Sequence, residues 1–175
     1  MVGSMEGRRR PVALKTDSYY RQIVEDLLRR AGVEEPPVSM ESVARALGVP
    51  VRPVRLPVFF RGALVSEEGL PVIVLNVACF ETERRDALAH MLGHVLLVLT
   101  DAANSYPRDE GAHDEADRVG TELILPTKLV IEQSQLWFND YRYMSRLFGV
   151  DEHAMINRMR ELGVSLGAQG AMWDY

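Results

Sequence analysis

The chain has a single cysteine, Cys79, in 175 residues, which excludes an internal disulfide. A protein of this length without covalent staples suits a reducing compartment, and the expectation is a cytoplasmic one. Cys79 itself reads as a small core or loop residue. Long apolar runs are missing too. The longest, Val95 to Leu99, is far short of the roughly 20 residues a membrane helix needs, so no membrane span is expected. The basic triplet Arg8-Arg9-Arg10 has no apolar segment behind it and does not read as a signal peptide. It reads as part of a solvated, flexible tail over 1–16. An excess of positive charge is also absent. Twenty Lys and Arg against 25 Asp and Glu leave a net charge of -5, which opposes general nucleic-acid binding. No internal repeat and no low-complexity segment interrupts the chain.

What is present suits a soluble domain with a sizeable core: 47% hydrophobic and 26% charged residues. Tyr20, Ile23, Val24, Leu27 and Leu28 form the apolar stripe of a first helix that ends at Gly32. Ser39 caps a short helix from Met40 to Leu47, closed by Gly48. Val51 to Leu56 reads as a strand edged by Pro53. Phe59 to Val65 and Pro71 to Asn76, joined through Glu67-Glu68-Gly69, read as a hairpin. A long helix follows, with Thr82 as its candidate cap. Asp101 to Asp114 reads as a loop. Helical patterns then run from about His113 to Leu125, Lys128 to Phe138, Tyr141 to Phe148 and Glu152 to Leu162. Helices, then strands, then helices imply an α+β fold, with a small antiparallel sheet lying across the long helix.

The long helix carries His90-Met91-Leu92-Gly93-His94. Histidines four apart on a helix share one face, one turn above the other, and two imidazoles so placed can bind one Zn²⁺. Two partly buried structural histidines are the plainer alternative. The apolar second half of the helix, however, leaves such a pair in need of a partner. Gly93 costs a helix interior about 1 kcal/mol against Ala, which suggests that another backbone comes close there. In the zinc-protease motif H-E-x-x-H, the residue after the first histidine is a glutamate that serves as general base. Here that position is Met91, and a thioether accepts no proton near neutral pH.

A catalytic zinc needs a third protein ligand. The remaining histidines are His113 and His153, and His153 reads as a surface residue of the C-terminal pair. On a helical wheel His113 lies about 60° from the centre of the apolar face, whereas Glu115 and Glu122 fall toward the solvent side. His113 is therefore the expected ligand. Glu115 stays open as an alternative ligand or base, because a residue in the first turn escapes strict wheel logic.

These features together resemble the ImmA/IrrE family of metallopeptidases. Its members carry a hydrophobic strand ending in Asn, then H-E-L-G-H, then a helix of the type E-x-x-A-N-x-F-A-x-x-L-L-M-P. The counterparts here are Val72 to Asn76, His90 to His94, and His113 to Pro126, with Arg61-Gly62 matching a glycine in the first hairpin strand. The resemblance implies a zincin-like metallopeptidase domain over 17–126 and a C-terminal helical extension, a helical hairpin, over 127–175. It implies zinc as cofactor, and as substrate or partner a repressor of the helix-turn-helix class. Two departures from the pattern matter: Met91 replaces the base, and His113 stands where the acidic ligand would stand. The expectation is a metal-binding protein that is weak or inactive as a protease and acts by binding a repressor. The alternatives are an active zinc endopeptidase using another base, and a DNA-binding regulator using the C-terminal helix pair. The mixed charges of that pair favour a packing hairpin over direct contact with nucleic acid.

Overall fold

The computed structural model describes residues 16–100 and 110–166. The expected tail over 1–16, apart from Thr16, and most of the expected loop from Asp101 to Asp114 lie outside the described residues. In order the elements are α1 (Asp17–Arg30), α2 (Met40–Leu47), β1 (Val51–Val54), β2 (Gly62–Glu67), β3 (Leu70–Asn76), α3 (Glu81–Thr100), α4 (Glu110–Ile124), α5 (Thr127–Leu136), α6 (Tyr141–Phe148) and α7 (Glu152–Glu161). The fold is α+β, as the order of patterns implies. Ser39 caps α2 by accepting from the Ser42 N–H, and Gly48 ends that helix in the left-handed region. The long helix begins at Glu81, one residue before the candidate cap Thr82, and the Glu83 carboxylate accepts from the Phe80 N–H instead.

The sheet is mixed rather than antiparallel. Its order is β1-β3-β2; β2 pairs with β3 in the expected hairpin, but β1 runs parallel to β3. The cause is the link from β1 to β2, which crosses the end of β3, so that β3 inserts between two strands that precede it. Pro53 is tolerated because β1 is an edge. The crossing link is held by one side chain. Asn76, fully buried, accepts from the N–H groups of Leu56 (3.0 Å) and Ala78 (2.9 Å) and donates to the carbonyls of Leu56, Pro57 and Phe60. Every polar atom of that amide is thus partnered, which its burial requires.

The core forms around α3, which buries Leu88, Ala89, Met91, Leu92, Gly93, Val95, Leu96 and Leu97. Burial on nearly every side marks a central helix. The sheet packs on it, and Val119, Leu123, Met144, Phe148, Met155 and Met159 join the same cluster from α4, α6 and α7. Arg85 ties the C-terminal pair to α3 by donating to the Phe148 and Gly149 carbonyls at 2.7 and 2.8 Å. The wheel placed Glu122 toward solvent, but it is buried. Arg158 of α7 covers that face of α4 and pairs with the Glu122 carboxylate, which also accepts from the Thr127 N–H and hydroxyl. Arg158 further donates to Thr127 Oγ1 and the Leu125 carbonyl, so both charges are buried with their hydrogen bonds made.

The close approach anticipated at Gly93 is to α4. A Cβ at Gly93 would lie 2.5 Å from the Ala116 carbonyl oxygen, and one at Gly120 would lie 3.3 Å from the backbone of Ala89 and His90. Two glycines, one on each helix, let α3 and α4 cross backbone to backbone. Gly93→Ala gains about 1 kcal/mol of helix propensity but forces these backbones apart, and overpacking costs about 1–3 kcal/mol. Chemical denaturation will show a net loss of stability; a more stable variant would contradict this crossing.

Candidate metal centre

The crossing places the helix faces that carry the histidines against each other. His90 and His94 stand one turn apart on α3 on either side of Gly93, and His113 stands one turn before Ala116 on α4. His94 Nε2 lies 3.1 Å from His90 Nε2 and 3.3 Å from His113 Nδ1, and the third side of the triangle is 3.4 Å. The His90 and His113 rings are parallel within 5°, with His94 nearly perpendicular to both. Among the described residues, no other group of three or more His, Cys, Asp or Glu donors converges in this way. His113 is solvent-exposed, not turned inward as the wheel suggested, because it lies ahead of Ala116, a buried residue one turn further along α4.

The donor set fits a metal ion. Ligand nitrogens about 2.0–2.1 Å from a tetrahedral ion lie about 3.3–3.4 Å apart, close to the triangle observed. His90 Nδ1 lies 2.6 Å from an Asp117 carboxylate oxygen. A neutral imidazole has one N–H, so an Nδ1–H given to Asp117 leaves a lone pair on Nε2 facing the other two rings. The His94 imidazole is pushed down to about 4, chiefly by burial and then by the His90 and His113 rings, with Asp117 opposing. It is therefore neutral at physiological pH, the form in which imidazole coordinates.

Glu115 is not part of the cluster. Its carboxylate partners the hydroxyl of buried Tyr20 on α1, which burial and then Glu115 push up to about 12. Met91 is buried and faces the sheet. A Cβ added to Gly62 of β2 would lie 2.8 Å from the Met91 methyl, so the glycine leaves the notch that Met91 fills. His153 lies exposed on α7, beside Asn157.

Sequence reasoning missed three contributors. Asp117 stands four residues after His113, a spacing that could have flagged it as sharing that face. Gly120 has the same helical cost that drew attention to Gly93. Asn76 stood out only as the end of a strand in the family pattern, and its bracing role had no signal in spacing or composition.

The fold and this centre define an α+β protein with three histidines able to hold a metal. The family model described as the IrrE N-terminal-like domain, Peptidase_M78, matches residues 42–160, and the chain belongs to that family. No curated protein matches it.

The depressed His94 value has a sign that can be tested. Between about 6.5 and about 4 the unfolded chain binds a proton at this position and the folded chain does not, so metal-free protein loses stability as pH falls through that window. Denaturation midpoints of chelator-treated protein at several pH values will decline more steeply for wild type than for His94→Gln. Parallel declines would show that His94 is not held neutral.

Proposed function

We propose that this protein binds zinc through His90, His94 and His113, is weak or inactive as a peptidase, and acts in the cytoplasm by binding a helix-turn-helix repressor. The observation that carries this reading is Met91: a buried thioether, packed into the Gly62 notch, at the position where a zinc peptidase has its general base. A zinc ion held by the three nitrogens would supply Lewis acidity toward an oxygen ligand. This chain's own residues would hold and orient the ion, but Met91 can accept no proton from an attacking water. Its apolar side chain also makes the neighbourhood drier, which disfavours charge developing there. Glu115, the alternative base, is engaged with Tyr20.

A binding role is further supported by exposed apolar side chains at one end of the sheet. Val58, Phe59 and Phe60 project from the link that Asn76 holds, and Val77 and Phe80 extend the exposed apolar set beyond β3. Exposed apolar patches of this kind mark interaction surfaces. The repressor as partner rests on the family resemblance. The C-terminal pair buries Tyr141, Met144, Phe148, Met155 and Met159, which favours a packing role for it over DNA reading.

Zinc-loaded wild type will carry about one ion per chain, and His90→Ala or His113→Ala will lose it while Glu115→Ala keeps it. Metal analysis after dialysis decides this; loss in Glu115→Ala with retention in His113→Ala would reverse the ligand assignment. Met91→Glu will keep its metal and raise cleavage of a peptide or repressor substrate by about 10²-fold or more. Rapid, chelator-sensitive cleavage by the wild type would overturn the inactive-enzyme reading.

A further inference from the structure

We propose that Asp117 is the positioning residue of this centre: its carboxylate holds His90 as the Nδ1–H tautomer and aims Nε2 at His94 and His113, so it governs metal affinity without touching the metal. The inference rests on the three-histidine reading above and adds to it the group that sets the geometry of one donor.

Asp117 lies one turn beyond His113 on the same face of α4. A single helix face therefore carries both one donor nitrogen and the carboxylate that orients another. The His90 Nδ1 to Asp117 separation of 2.6 Å is that of a strong, charge-assisted hydrogen bond. His90 is the only hydrogen-bonded partner of Asp117 among the described residues, and no other carboxylate there is hydrogen-bonded to any of the three rings. The tautomer matters because a free imidazole favours Nε2–H, which would put a proton where the lone pair must be. The hydrogen bond made by the other nitrogen decides the matter. Three neutral donors also leave the ion's charge uncompensated, and Asp117, hydrogen-bonded to the His90 ring, is placed to offset it through that ring.

The Asp117 side chain is 68% exposed, so its hydrogen bond to His90 contributes little to folding and its removal tests the centre rather than the core. The experiment pairs Asp117→Ala with Asp117→Asn. Long-range ¹H–¹⁵N NMR on metal-free protein reads the His90 tautomer, competition titration with a chelator reads zinc affinity, and thermal denaturation confirms the fold. Wild type will show His90 as Nδ1–H. Asp117→Ala will shift it toward Nε2–H and weaken zinc binding about 10–100-fold. Asp117→Asn, whose amide oxygen still accepts the Nδ1–H hydrogen bond, will keep the tautomer and lose less. An Asp117→Ala protein that binds zinc within about twofold of wild type, or a wild-type His90 that carries its proton on Nε2, overturns the proposal. Wild-type protein that takes up no zinc refutes the metal reading instead, and the tautomer measured without metal still decides the role of Asp117.

Discussion

The arrangement of the site depends on two helices touching through their backbones. Gly93 meets the Ala116 carbonyl and Gly120 meets the Ala89–His90 backbone, so no side chain separates α3 from α4 at the crossing. Every polar group of the centre is stationed around that contact. His90 and His94 flank Gly93, and His113 and Asp117 flank Ala116. A methyl group inserted at the crossing would widen the gap by an appreciable fraction of the 3.1–3.4 Å sides of the nitrogen triangle. Packed interiors respond to such volume changes by moving whole elements, which is why a glycine that touches no histidine side chain controls where the histidines meet.

On its sheet-facing side, α3 is fixed by Met91 in the Gly62 notch of β2. The same position that would carry a reactive carboxylate in the family pattern here contributes apolar contact between helix and sheet. Asn76 then holds the link that wraps the end of β3, and with it the exposed row from Val58 to Phe60. The structure thus brings three donor nitrogens together at the helix crossing and places packing, not a proton acceptor, at Met91 on the sheet-facing side of α3. Metal affinity needs only donor geometry, whereas hydrolysis needs a base aligned with the attacking water, and the proposal of recognition without turnover rests on that difference.

Much of this was legible from local pattern. The i, i+4 histidines, the helix cost at Gly93 and the hairpin from Gly62 to Asn76 are short-range signals, and short-range signals survive folding. Long-range facts were less accessible. The parallel pairing of β1 depends on a link crossing a strand not yet reached in the chain, and nothing in Val51 to Val54 announces it. Glu122 reads as solvent-facing on its own helix; only the arrival of Arg158 from α7 makes its burial affordable. His113 was placed by a wheel centred on the apolar face, and it meets the other histidines from an exposed position. Convergence depended on how α4 crosses α3, not on how deeply the residue is buried.

In the proposed centre three imidazole nitrogens, and no carboxylate, hold the metal. X-ray absorption at the zinc edge of the loaded protein tests this most directly. Three histidine scatterers at about 2.0–2.1 Å with one further light atom are predicted. A carboxylate in place of one imidazole, or a sulfur scatterer at about 2.3 Å, would contradict it.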